Sequence, residues 1–185
     1  MDALKDYTRP RDKVTKLLRD KTIIQVKRGL YIRNNIDPDA LHERELLANL
    51  IYGPSYISFQ YALSSYGMIP EEVIQLSSLT FKKTKRYRTP IGDFLYRSVP
   101  LSYYLHGVEL KSTNEGYFYL IASPEKALMD TLYFTTGLRS MRDVRIFLRE
   151  DLRIDESSLP DLDLSLLYDK NEAADTSQSA ECSMA

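Results

Sequence analysis

Along the start of the chain the apolar residues Val14, Leu17 and Leu18 recur at i, i+3 and i+4, the spacing that lines one face of an α-helix. Arg11, Lys13, Lys16 and Arg19 fall mainly on its other faces, and Thr8 or Asp12 is placed to cap it. The period then shortens. TIIQVKRGLYIR holds two β-rich runs, Thr22–Val26 and Leu30–Arg33, joined at Lys27-Arg28-Gly29. Gly29 can take the positive φ that such a turn requires. A helix followed by a basic-tipped hairpin matches the second half of a winged helix-turn-helix. Ala3–Tyr7 leaves room for only a short preceding helix.

A second helix is predicted from Asp37 as N-cap and Pro38 as first helical residue through Ile51, with Leu46, Leu47, Leu50 and Ile51 facing a core. The stretch YGPSYISFQYALSSYGMIP (Tyr52–Pro70) reads as a helix starting at Pro54, with Ser58, Ala62 and Ser65 small enough to admit a close neighbour. Strands are expected in Val73–Phe81, Phe94–Val99 and Tyr117–Ala122. Pro90 and Gly92 mark a turn in KKTKRYRTPIGD (Lys82–Asp93). Two capped helices follow, SPEKALMDTLYF from Ser123 and SMRDVRIFLRE from Ser140 with Asp143 three residues on. The predicted class is α+β. Residues 1–35 form a short winged-helix-like module, 36–168 a mixed α+β domain, and 169–185 a disordered acidic tail.

Composition narrows the function. Tyr52–Pro70 carries no charge over nineteen residues, yet Gly53, Pro54 and Gly67 break it, and no run of about 18 apolar residues occurs. MDALKDYTRPRD has no apolar signal region, and the single cysteine, Cys182, cannot form an internal disulfide. A cytoplasmic protein without membrane association is the expectation. The net charge of -1 conceals an asymmetry. Met1–Arg33 has ten basic and four acidic residues, net +6, whereas Glu150–Ala185 has two basic and ten acidic, net -8. A basic head calls for an anionic partner.

Enzymatic chemistry finds little footing. GPSYIS is not the G-x-S-x-G elbow, and neither His42 nor His106 sits in a motif that would make it the base of a serine nucleophile. HERE (His42–Glu45) lacks the second histidine of H-E-x-x-H, and no phosphate-cradling glycine loop is present. SPEK is explained by helix initiation alone. No catalytic residue, metal or cofactor is expected. Two basic sites remain. One is the head, with Arg9, Arg11, Lys13, Thr15, Lys16, Arg19, Lys27 and Arg28. The other is Lys82, Lys83, Lys85, Arg86 and Arg88 around Tyr87, a run that reads as an exposed hairpin or edge strand. In extended backbone Lys83, Lys85 and Tyr87 share one face and Lys82, Thr84, Arg86 and Arg88 the other. Each site is a candidate for DNA phosphates. A solvated basic helix is the alternative for the first, and an acidic protein partner or the chain's own acidic end for the second.

Four blocks in order, VKRGLYI (Val26–Ile32), IYGPSYISFQYALSSYGMIPE (Ile51–Glu71), TFKKTKRYRTPIGDFLYR (Thr80–Arg97) and IASPEKALMDTLYF (Ile121–Phe134), resemble the AbiEi antitoxin family of type IV toxin–antitoxin systems. That resemblance implies an N-terminal winged-helix DNA-binding domain, a C-terminal antitoxin domain and no enzymatic activity. Carried over by position, Arg11–Arg19 becomes the recognition helix and Val26–Ile32 the wing. It further implies autorepression at operator DNA and a nucleotidyltransferase-like toxin as the partner, opposed directly or functionally. A homo-oligomer is compatible with that role. The alternative is a protein-interaction module that neutralises a toxin without reading DNA.

Overall fold

A computed structural model describes residues 7–34, 41–113 and 116–154. Residues 1–6, most of the expected first short helix, the Asp37–Pro38 helix start and the acidic tail lie outside them. The amphipathic opening segment forms α1 (Pro10–Arg19). The cap expected of Thr8 or Asp12 is not made: Arg9 holds the N-cap position with no side-chain bond. Pro10, which has no N–H, removes one of the donors a cap would serve. The hairpin follows as β1 (Ile23–Lys27) and β2 (Leu30–Arg33), antiparallel, with Gly29 at φ +84° in its tip. A register shift between Gln25 and Lys27 accompanies the turn. Val26 is buried and belongs to the same hydrophobic cluster as the rest of the chain's core.

The remaining elements are α2 (Leu41–Ile51), β3 (Tyr56–Ile57), α3 (Phe59–Ser65), β4 (Leu76–Thr80), β5 (Lys85–Thr89), β6 (Gly92–Ser98), α4 (Leu101–Tyr104), β7 (Val108–Ser112), β8 (Phe118–Ala122), α5 (Pro124–Phe134) and α6 (Met141–Ile146), which runs into a π-helical turn at Phe147–Asp151. The last six strands form one mixed sheet in the order β5-β6-β4-β3-β8-β7. Its β4–β6 and β3–β8 pairs are parallel and the other neighbours antiparallel. The described chain is therefore α+β. Among the described residues no helix is long and apolar enough to cross a membrane.

The uncharged stretch departs from its expected form. It does not run as one helix from Pro54. Tyr56 and Ile57 are a fully buried strand at the centre of the sheet, paired with β4 on one side and β8 on the other. Helix begins only at Phe59, whose φ of +60° turns the chain sharply out of the strand. Burial of a tyrosine–isoleucine pair between two strands outweighs a helical continuation. Ser58 and Ala62 are buried where α3 packs on α5, whereas Ser65 is exposed.

Because β3 spans two residues, β8 needs another partner along that edge. Asn49 of α2 supplies it. Its Oδ1 accepts from the Leu120 N–H at 2.5 Å, and its Nδ2 donates to the carbonyls of Leu120 (3.4 Å) and Ser55 (3.2 Å). One carboxamide thus stands in for a strand at Leu120, whose N–H would otherwise lack an acceptor there. The α2 face turned inward is Leu47, Ala48 and Ile51. Leu50, expected in the core, is 53% exposed because it sits off that stripe, and Leu46 is half-buried.

Candidate nucleic-acid interface

Strand alternation decides where the second basic run points. In β5, Tyr87 pairs with Phe94 and Lys85 with Tyr96, while Arg86 and Arg88 lie opposite Leu95 and Asp93 on the reverse face. β5 is an edge strand that follows β4 after a short link. That geometry carries Lys85 and Tyr87 onto the side where Tyr52, just past α2, packs against Tyr96 and Tyr87 at ring-centroid distances of 5.3 and 5.8 Å. Tyr96, fully buried, donates its hydroxyl to the Ala48 carbonyl of α2 at 2.5 Å.

Three lysines from two separate parts of the sequence meet there. Lys27 of the hairpin donates to the Ile51 carbonyl at 2.6 Å and stands 5.8 Å from the Tyr87 ring centroid. Lys82 donates to the Gly53 carbonyl at 2.6 Å and stands 5.6 Å from the Tyr52 ring. Lys85 lies 5.6 Å from the Tyr52 ring and 5.1 Å from that of Tyr87. The cause is the end of α2. Its last carbonyls have no partner within the helix and carry the negative end of the helix dipole. The helix has no base of its own in its last turn; Lys27 of β1 fills that role at Ile51, while Lys82 of the β4–β5 link bonds the Gly53 carbonyl just beyond the helix. The electron-rich faces of the tyrosines hold the same ammonium groups. Among the described residues none of the three forms an ion pair with a carboxylate.

Around this cluster the other basic residues differ. Arg86 is bridged to Asp93 on the opposite face. Lys83 and Arg88 are exposed, as is Arg28 at the hairpin tip. On α1, Arg9 is 4.0 Å from Asp12 and Arg19 is 3.6 Å from Asp20, both on well-exposed side chains, contacts worth little in water. Thr15 donates its hydroxyl back to the Arg11 carbonyl at 3.0 Å, and Lys13 lies 5.2 Å from the Tyr7 ring. Arg11 and Lys16 are exposed. Lys27 is thus brought together with Lys82 and Lys85, while the α1 cations stand on a separate element. Tyr52 and Tyr96 are the residues that sequence reasoning missed. Tyr52 had a signal, as the first of four tyrosines spaced through the uncharged stretch 52–70, whereas Tyr96 lies outside that stretch.

The hydroxyls of that stretch serve the interior. Ser58 donates to Asp130 Oδ2 at 2.6 Å, and Tyr103 donates to Oδ1 at 2.7 Å. Lys126 reaches the same oxygen at 3.1 Å and lies 3.1 Å from the Tyr103 ring centroid. Asp130 and Ser58 have no solvent exposure. Burial pushes the Asp130 carboxyl up, while Lys126, Ser58 and Tyr103 pull it back. The cluster ties α5 to the β3–α3 elbow and to α4. A second buried carboxylate, Glu45 of α2, accepts from Tyr61 at 3.1 Å. Burial, with Glu45 beside it, pushes the Tyr119 phenol up to about 12. These are fastenings between elements, closed to solvent.

Comparison with known proteins adds no assignment: no family model matches the chain, and no curated protein matches it.

Proposed function

We propose that the chain is a DNA-binding regulator of the antitoxin kind, which autorepresses its own operon and counteracts a nucleotidyltransferase-like toxin. The observation that carries the DNA half is the meeting of Lys27, Lys82 and Lys85 over Tyr52 and Tyr87, with no carboxylate among the described residues paired to them. An edge strand rich in lysine discourages sheet-to-sheet pairing, but that role needs no shared anchorage with a hairpin some fifty residues upstream. Ammonium groups held in place by carbonyls and rings meet a phosphate row without first being ordered.

In this reading α1 and the β1–β2 hairpin are the recognition helix and wing of a winged-helix-like module. Arg11 and Lys16 face the groove, and the three-lysine cluster grips the adjoining backbone. The test is binding of the purified chain to its own upstream DNA, followed by fluorescence anisotropy across a salt series. Affinity that falls steeply with salt and drops in the Arg11→Ala, Lys16→Ala double variant is expected. No binding at low salt removes the DNA role.

One feature favours a second reading, a protein-interaction module that neutralises a toxin without DNA. Leu101 of α4 and Leu105 at its C-cap are 53% and 64% exposed, and the ring of Tyr133 of α5, 61% exposed, lies 5.2 Å from that of Tyr103. Contiguous exposed apolar groups of this kind mark partner surfaces. Co-expression with the product of the neighbouring gene, scored by growth, separates the two: rescue that survives loss of DNA binding favours the second.

A further inference from the structure

The basic surface has a counterpart in the same chain. Residues 155–185 contain eight acidic side chains and one lysine, net -7, so the preceding 154 residues carry net +6. The described chain stops at Ile154, which is buried and held in the core cluster, with Arg153 bridged to Glu71 just before it. From that fixed point the fourteen residues 155–168 alone reach up to about 45 Å when extended. A domain of this size has a radius of gyration of about 15 Å, so any face is within range.

We infer that the acidic segment 155–185 docks on the surface formed by Lys27, Arg28, Lys82, Lys83 and Lys85 of its own chain and excludes nucleic acid from it. Charge complementarity selects this occupant. The surface presents cations with no ion pair among the described residues, and the segment carries its acids in the run DLDLSLLYD and beyond. Tethering supplies the rest. A segment on the same chain acts at an effective concentration in the millimolar range, so weak screened attractions suffice. DNA displaces it by offering a denser row of charge, which makes the chain a regulator whose affinity is set by its own C-terminal charge. The competition rests on the DNA reading above, whereas the docking does not.

Cys182 is the sole cysteine and takes a nitroxide label in the otherwise natural chain. Paramagnetic broadening of the amides of residues 27–29 and 82–88 is expected at about 0.01 M salt. It weakens near 0.1 M and is lost near 1 M, as the Debye length falls from about 30 to 10 to 3 Å. In a mixture of labelled natural-abundance chains and unlabelled nitrogen-15 chains the broadening should vanish. Changing the eight acids to their amides should abolish it and raise affinity for upstream DNA about tenfold or more at low salt. Broadening with no DNA binding in either form leaves the docking standing and fails the DNA reading. No broadening of these amides, broadening only between separate chains, or unchanged DNA affinity after neutralisation overturns the inference.

Discussion

Replacing Lys27, Lys82 and Lys85 together by methionine removes three charges while keeping most of each apolar stem over the tyrosine rings. Each phosphate contact contributes about 0.9 to the slope of log affinity against log salt. Three lost contacts therefore flatten that slope by about 2.7. Between 50 and 200 mM salt a single contact accounts for about 3.5-fold in affinity and three for about 40-fold. The gap between natural chain and variant should accordingly be widest at 50 mM and close by about 40-fold at 200 mM.

The same change touches folding, because Lys27 and Lys82 bond the Ile51 and Gly53 carbonyls. Lys82 is exposed and Lys27 half-buried, so the loss is about 1 kcal/mol each after allowance for solvent. That is small against a typical domain stability of about 5–15 kcal/mol. Urea titration of the variant checks that it remains folded at the assay temperature. A triple arginine variant keeps the charges and should restore the slope. A folded methionine variant whose salt slope runs parallel to that of the natural chain would refute the phosphate assignment.

Three further outcomes test the framework that positions the surface. Asp130→Ala strands Lys126, 4% exposed, without its carboxylate, and should cost about 3–5 kcal/mol in urea titration; Asp130→Asn, which keeps an acceptor for one of the two hydroxyls and offers its amide to the oxygen of the other, should cost less. Asn49→Ala removes the acceptor of the Leu120 N–H and should cost about 1–3 kcal/mol, with faster amide exchange at Leu120 as the local readout. Tyr56, Tyr61 and Tyr96 are buried phenols pushed above their ordinary value of 10.0, chiefly by burial. Raised phenols stabilise fully below pH 10 and lose that contribution as pH climbs toward their folded values. Above pH 10 stability should therefore fall by about 4 kcal/mol per pH unit from these three alone, seen as urea midpoints collapsing between pH 10 and 11.

Legibility followed local physics. The hairpin was readable because Gly29 and the alternating runs beside it leave few options, and α5 and α6 because Ser123 and Ser140 cap them through the Lys126 and Asp143 amides as their spacing requires. β5 was readable as an edge for its charge. The β3–α3 elbow was not, since an uncharged run of serines and tyrosines fits a buried helix as well as a buried strand. Choosing between them needs β4 and β8, which arrive later in the chain. β7 and α4 went unnoticed for a related reason: VELKS half alternates and LSYY spans a single turn. The basic residues of the site were visible individually. Their convergence was not, because it depends on α2 ending where the hairpin and the run 82–88 both pass.

That convergence links stability to function at one place. The last carbonyl of α2 holds Lys27, the Gly53 carbonyl just beyond the helix holds Lys82, and the rings that pack Tyr52, Tyr87 and Tyr96 together hold Lys85. A cation clustered for folding alone would be expected to face a carboxylate, the stronger and more directional partner. Here the partners are neutral carbonyls and aromatic faces, which fix position while leaving the charge unspent. Like charges gathered this closely repel one another, and among the described residues nothing anionic offsets that cost. An anion arriving from outside relieves it, so binding should raise stability as well as occupy the site. Thermal melts with and without the upstream DNA measure this. A rise in the melting temperature for the natural chain that disappears in the three-methionine variant is expected. A rise that persists undiminished would place the DNA on α1 alone and strip the lysine cluster of its role.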